Sequence, residues 1–161
     1  AVIEEGGQQR WRQAANMQLI KDDNTQDDLI SGEVGAAVLY TSMVTMAKMA
    51  DPDLVVVFPE EGIGFGVMGQ FIPKNAPNAE AAYQFMDYIL EPEVAAQCFE
   101  YLGYYCTNLD AEQYISEEYK SFLTLPEEID TSNMEMIENV SAQALEVHDR
   151  VWTEFRDACG Q

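Results

Sequence analysis

FIPKNAPNAEAAYQFMDYILEPEVAAQCFEYLGYYCTN, residues 71–108, carries its own punctuation and changes hydrophobic period along its length. An apolar run closes at Ile72-Pro73 and leads to Asn78, a residue type whose side-chain oxygen caps helix starts. Ala82, Phe85, Met86 and Ile89 then recur at spacings of three and four, which predicts a helix over 79–90 with one buried face. Pro92 stops it and opens the next helix, 92–102, because a first-position proline has no helical hydrogen bond to lose. Val94, Ala95, Cys98, Phe99 and Leu102 form the buried stripe of that second helix. Gly103 ends it as a left-handed C-cap.

Working outward, residues 34–40 are almost continuously apolar, the pattern of a strand covered on both faces of a parallel sheet. Residues 41–49 return at helical period and bury Met43, Val44, Met46 and Ala47. Residues 54–58 and 65–72 read as two further strands. Strands alternating with helices predict an α/β fold, a mostly parallel sheet flanked by helices. Upstream, residues 4–16 read as a helix weakened at its start by Gly6-Gly7. Thr25 and Asp28 form a capping box for a short helix ending at Gly32. Ser116-Glu117-Glu118 opens another short one. Ser132 and Glu135 box a last helix, 133–157, with Ile137, Val140, Ala144, Val147, Val151 and Phe155 as its core stripe.

The chain has 161 residues, a length that suits one domain. Its formal net charge is −21, from 29 acidic against 8 basic residues. Such a charge repels phosphate backbones and anionic membrane surfaces, so nucleic acid is excluded as a partner. A cationic ligand is compatible with it, although an acidic surface serves solubility first. No apolar run approaches the ~20 residues of a membrane span. The three cysteines show no C-x-x-C spacing. Cys98 sits on an apolar helix face, while Cys106 and Cys159, in a loop and the tail, leave a disulfide between them open.

Three chemical motifs fail on inspection. Asp22, Asn24, Gln26, Asp28 and Glu33 mimic calcium-loop spacing, but the turn glycine is replaced by Asp27, and a helix cap explains the same residues. Gly62-Ile63-Gly64-Phe65-Gly66 is followed by a strand rather than a helix, and Glu60 and Glu61 would repel a phosphate. His148 is the single histidine and lacks the oriented partner a catalytic base needs. Neither an acid/base pair nor an activated nucleophile assembles, so the sequence predicts no enzyme, cofactor or metal.

The order strand, Pro, Asn-capped helix, Pro-started helix, Gly-Tyr resembles the extracellular solute-binding proteins of ABC importers, specifically their spermidine/putrescine-binding branch. Ser31-Gly32-Glu33-Val34 resembles that family's G-E-V element. Pro59-Glu60-Glu61-Gly62 is similar to its P-K/E-E-G turn, and Tyr101-Leu102-Gly103-Tyr104 with Thr107-Asn108 to its I-G-Y-x-T-x-N turn. The matches run in family order from about Thr25 to Phe155.

This resemblance implies a type II periplasmic-binding-protein-like fragment, equivalent to the second half of a two-lobed protein. Residues 64–105 would belong to the first lobe and the rest to the second. It also implies an extracytoplasmic place, a membrane permease and the remaining N-terminal lobe as partners, and a polyamine-like solute as ligand. Ala1-Val2-Ile3-Glu4-Glu5 reads as mid-helix, in keeping with a segment of a longer chain. Ligands of open α/β sheets gather where strands end. The resemblance places Tyr40, Thr41, Ser42, Glu61, Phe65, Met68 and Tyr104 at the cleft wall, with Gln70 beside them.

The chain departs from the family's recipe at three places. Tyr40 and Gly66 stand where tryptophans are usual, and Met68 where a ligand-gripping aspartate is usual. A less cationic solute such as an amino-acid derivative, or a non-transport interaction domain, are the competing expectations. Strand edges without neighbours further predict a homodimer or segment swap.

Overall fold

The computed structural model describes residues 16–18, 20–21, 23–60, 62–124 and 131–160, which divide into two compact units. The predicted first helix falls almost wholly outside the described residues, as do Asp22 and Glu61.

In the larger unit, α1 (Thr25–Ile30) ends at Gly32, as its sequence predicts. It packs against α2 (Thr41–Ala50), which buries Ser42, Thr45 and Ala47. Strand β1 (Ile63–Phe65) follows, then α3 (Ala79–Ile89) and α4 (Pro92–Leu102). A 3-10 segment, Leu109–Tyr114, and the short helix α5 (Glu117–Lys120) come next. A second 3-10 segment, Thr131–Asn133, leads into β2 (Met134–Met136). The unit's core is built on α4: Ala95, Ala96, Cys106, Ala111, Ile115, Tyr119 and Leu123 are buried, with Phe99 packed against them. Small residues at Ala95, Ala96 and Ala111 let the 3-10 segment lie close to α4, and a larger side chain there would push it away.

The sheet is smaller than the sequence predicts. Among the described residues, β1 and β2 form one two-stranded parallel ladder, Ile63 opposite Met134 and Phe65 opposite Met136. Residues 34–40 and 54–58 take no ladder, and of residues 65–72 Phe65 alone belongs to a strand. Val55, Val57, Val67, Met68 and Phe71 stand in solvent and Val38 fully (100% exposed), whereas Val34, Leu39, Leu54 and Val56 are half-buried. A strand exists only through its neighbours, and these runs find none among the described residues. Gly62 is indispensable to the ladder that does form. Its φ of 106° suits glycine, and a Cβ there would run into the Asn133 carbonyl oxygen. Asn133 Nδ2 donates to the Glu60 carbonyl (3.3 Å), fixing the approach to β1 from the other side.

In the larger unit the helices keep closely to their predicted bounds. Pro92 occupies the first turn of α4, and Gly103 adopts the left-handed C-cap with φ 78°. Asn78 stands at the N-cap of α3, yet its side chain makes no capping hydrogen bond. On α3, Ala82, Met86 and Ile89 are half-buried while Phe85 is exposed. On α4 the burial centres on Ala95 and Ala96, and Leu102 is exposed.

The smaller unit is dominated by α6 (Ala142–Cys159). Residues 133–157 are therefore not one helix: Met134–Met136 pairs with β1, and the helix starts only at Ala142. Its cap is Ser141, whose Oγ accepts from the Ala144 N–H at 3.2 Å. Ala144, Val147, Val151 and Phe155 line one half-buried stripe, as the spacing predicts, whereas Ile137 and Val140 precede the helix and are exposed. Trp152 stacks on Phe155 with ring centroids 5.8 Å apart.

Candidate functional site

The strongest convergence of predicted site residues lies where α2 begins and α4 ends. Tyr40 is extended (φ −70°, ψ 154°) and its carbonyl accepts the first helical hydrogen bond, from Val44 N–H at 3.0 Å. Tyr40 cannot cap a helix, and the first turn holds no acidic residue. The N–H groups of Thr41, Ser42 and Met43 have no carbonyl inside the helix to accept them. Ser42 is only 8% exposed, and its hydroxyl forms no hydrogen bond among the described residues. Thr45, one turn on, is buried and donates its hydroxyl to the Thr41 carbonyl at 3.0 Å.

Gly103 brings the other half. A Cβ at this position would lie 2.6 Å from the Ser42 carbonyl oxygen and 3.3 Å from Met46 Cγ, so the glycine is what allows the end of α4 to touch α2. Tyr104 follows directly and is half-buried. Its backbone is pinned: the Tyr119 hydroxyl lies 2.8 Å from the Phe99 carbonyl oxygen and 2.9 Å from that of Tyr104, one proton shared between two acceptors. Tyr119 is itself held by α5, where Ser116 Oγ accepts the Tyr119 N–H, and Glu100 Oε1 accepts the Ser116 N–H at 2.7 Å. Burial, then the negative charge of Glu100 and the nearby Cys106, push the Tyr119 hydroxyl up to about 12. Burial likewise raises the Cys106 thiol, whose Sγ donates to the Asn108 carbonyl at 3.6 Å. All three cysteines are free thiols.

The start of α2, with Tyr40, Thr41 and Ser42, thus lies close to Gly103 and the Tyr104 backbone that follows it, and the Tyr40 side chain is 67% exposed. Phe65 ends β1, and Met68 lies in the extended segment after it, 76% exposed. Neither shares a contact with that group in the hydrogen-bond framework. Gln70 lines a separate open hollow of ≈ 330 Å³ with Gly69, Phe71, Ile72, Ala82, Phe85 and Met86. Sequence reasoning missed Gly103 and Tyr119 as the residues that position the site. Gly103 reads as a helix terminator and nothing more; Tyr119 follows a capping serine by three residues, the one sign that it is fixed in place. His148 is exposed on α6, 3.9 Å from the carboxylate of its neighbour Asp149. Among the described residues, no three His, Cys, Asp or Glu side chains are arranged to hold a metal, and no helix is long and apolar enough to cross a membrane.

Residues 8–126 match the family model described as bacterial extracellular solute-binding protein. The chain is 32% identical over 116 residues to the spermidine/putrescine-binding periplasmic protein of Escherichia coli, covering 72% of this chain and 33% of the relative. It is 30% identical over 118 residues to the spermidine/putrescine-binding periplasmic protein 1 of Haemophilus influenzae, 73% of this chain and 33% of the relative. A putrescine/cadaverine-binding protein of Pseudomonas aeruginosa is 23% identical over 137 residues, 80% of this chain and 38% of the relative. The chain therefore spans about one third of the length of the curated relatives it matches. No solved structure matches it. Family order in the sequence, a small parallel sheet in a largely helical chain, and a match across most of the chain agree: the chain belongs to the bacterial extracellular solute-binding proteins.

Proposed function

We propose that this chain is part of the solute-binding receptor of an ABC importer, built on the type II periplasmic-binding fold. Its solute is a small amine of the polyamine class or closely related to it. The observation that carries the reading is the gathering of Tyr40, Thr41 and Ser42 with Tyr104 through the Gly103 contact, inside the segment matched by polyamine-binding relatives. The work is binding, not chemistry. Two lobes close on the solute, and the closed form is what the membrane permease accepts, a population shift driven by ligand contacts. The family's place is outside the cytoplasmic membrane.

The cleft wall comprises Tyr40, Thr41, Ser42, Glu61, Phe65, Met68 and Tyr104. Aromatic faces attract ammonium groups and carry the methylenes between them. Met68 offers no counter-charge where the resemblance expects an aspartate, so affinity for a purely cationic amine is lower than in a receptor carrying that carboxylate.

Titration calorimetry on the natural full-length protein tests this. Spermidine or putrescine binds, Tyr104→Ala weakens binding by about 1 kcal/mol or more through lost cation–π contact, and Met68→Asp tightens it by about 1.5–3 kcal/mol through a charge-assisted bond. A protein that binds no member of an amine and amino-acid panel overturns the receptor reading.

A further inference from the structure

Strand β2 reads Met134-Glu135-Met136, so two of the chain's eight methionines lie two residues apart on one strand. Side chains alternate across a strand, which puts both thioethers on one face and Glu135 on the other. The parallel register sets Ile63 opposite Met134 and Phe65 opposite Met136. That face of the ladder therefore carries four apolar side chains and no charge. The ladder is only three pairs long. Met136 is also the last residue of the larger unit, so no further residue of that unit follows it to anchor the strand.

Exposure divides the two methionines. Met136 is 59% exposed and open to a small oxidant, whereas Met134 is half-buried. Oxidation of a thioether follows access, and it turns a flexible apolar side chain into a polar one. Opposite Phe65, at the free end of so short a ladder, the new S–O dipole favours water over the apolar face.

We propose that Met136 is a reversible oxidation site whose sulfoxide unlatches β2 from β1. The reagent class is a peroxide. The sulfur lone pair attacks one peroxide oxygen, an S–O bond forms as the O–O bond breaks, and water leaves. Sulfur gives up two electrons and the peroxide takes them. Release of this end uncovers Met134, which is oxidised second. Enzymatic sulfoxide reduction at the expense of a dithiol returns the thioether, and with it the ladder. The latch involves no solute and is independent of the receptor reading.

Hydrogen peroxide is the probe, applied to the natural full-length protein. Peptide mass spectrometry places each added oxygen, and nuclear Overhauser contacts between residues 63–65 and 134–136 report the ladder. Met136 is expected to oxidise before Met134. Once it has, the population of the closed ladder should fall about tenfold, the range for a polar group forced against an apolar surface. Methionine sulfoxide reductase should restore the contacts, a readout that needs no variant. Met136→Leu keeps volume and apolarity. It should hold the cross-strand contacts under peroxide and slow the oxidation of Met134. Met49 is 48% exposed on α2, outside the ladder, and Met49→Leu should leave the whole response unchanged. Cross-strand contacts that persist after Met136 is oxidised, or that are lost equally in Met136→Leu, overturn the latch. Oxidation of Met134 ahead of Met136 overturns the order on which it depends.

Discussion

Tyr119 and Gly103 are the two residues on which the candidate site depends, and they act in different ways. The Tyr119 hydroxyl is shared by the carbonyl oxygens of Phe99 and Tyr104, so Tyr119→Phe takes that donor from both, and Phe99 keeps only the Gly103 N–H at 3.0 Å. Urea unfolding should show a loss of about 1–3 kcal/mol. A tyrosine whose folded-state pKa of about 12 exceeds its ordinary 10.0 contributes stability that is complete below pH 10 and lost as the pH rises toward 12. Stability should therefore fall between those limits, and the Phe variant should show a shallower fall. Gly103 matters through what it lacks. Gly103→Ala introduces both a left-handed strain and a methyl 2.6 Å from the Ser42 carbonyl. A loss of about 2 kcal/mol in thermal unfolding is expected, with solute affinity reduced as Tyr104 moves away from α2.

Helices were legible in the sequence because their signals are local. Pro92 and Gly103 bracket α4, and the stripe Ala144, Val147, Val151 and Phe155 marks α6. Ser141→Ala removes the oxygen that accepts from Ala144 N–H, and circular dichroism on heating should show α6 weakened by about 1 kcal/mol. The strands were not legible, since their existence depends on residues distant in the chain. Ser132 and Glu135 have the spacing of a helix start, but Met134–Met136 pairs with β1 instead, and the helix begins after the next serine. The same limit applies to the site. Tyr40, Thr41, Ser42 and Tyr104 could be named from family resemblance, but their meeting depends on a glycine contact between segments some sixty residues apart, which no periodicity reports.

Across the molecule, charge and apolar exposure are segregated. Residues 34–47, 54–59 and 62–73 contain no charged side chain, although the net charge is −21. Three of the exposed apolar runs thus escape the repulsion that keeps the remainder of the surface apart. We propose that a second copy of the chain pairs with these runs when the chain is isolated, since open, uncharged strand edges recruit other strands. Light scattering should give at least twice the mass of 18.1 kDa. Val38→Lys, at a fully exposed position, should return the monomer without altering its stability. A monodisperse wild-type monomer would discard the idea. The parallel ladder has a consequence of another kind. It joins residues about 70 positions apart with three pairs, whereas the contacts of the Tyr119 hydroxyl close loops of 15 and 20 residues. Closing the long loop delays its reward until most of the chain is ordered, so the order of assembly is set: the α4–α5 core first, β1 on β2 last. What zips last is also what opens first. In deuterium, the amides of residues 63–65 and 134–136 should exchange in an early wave while those around Ala95 and Ala111 remain protected, giving the molecule two clocks.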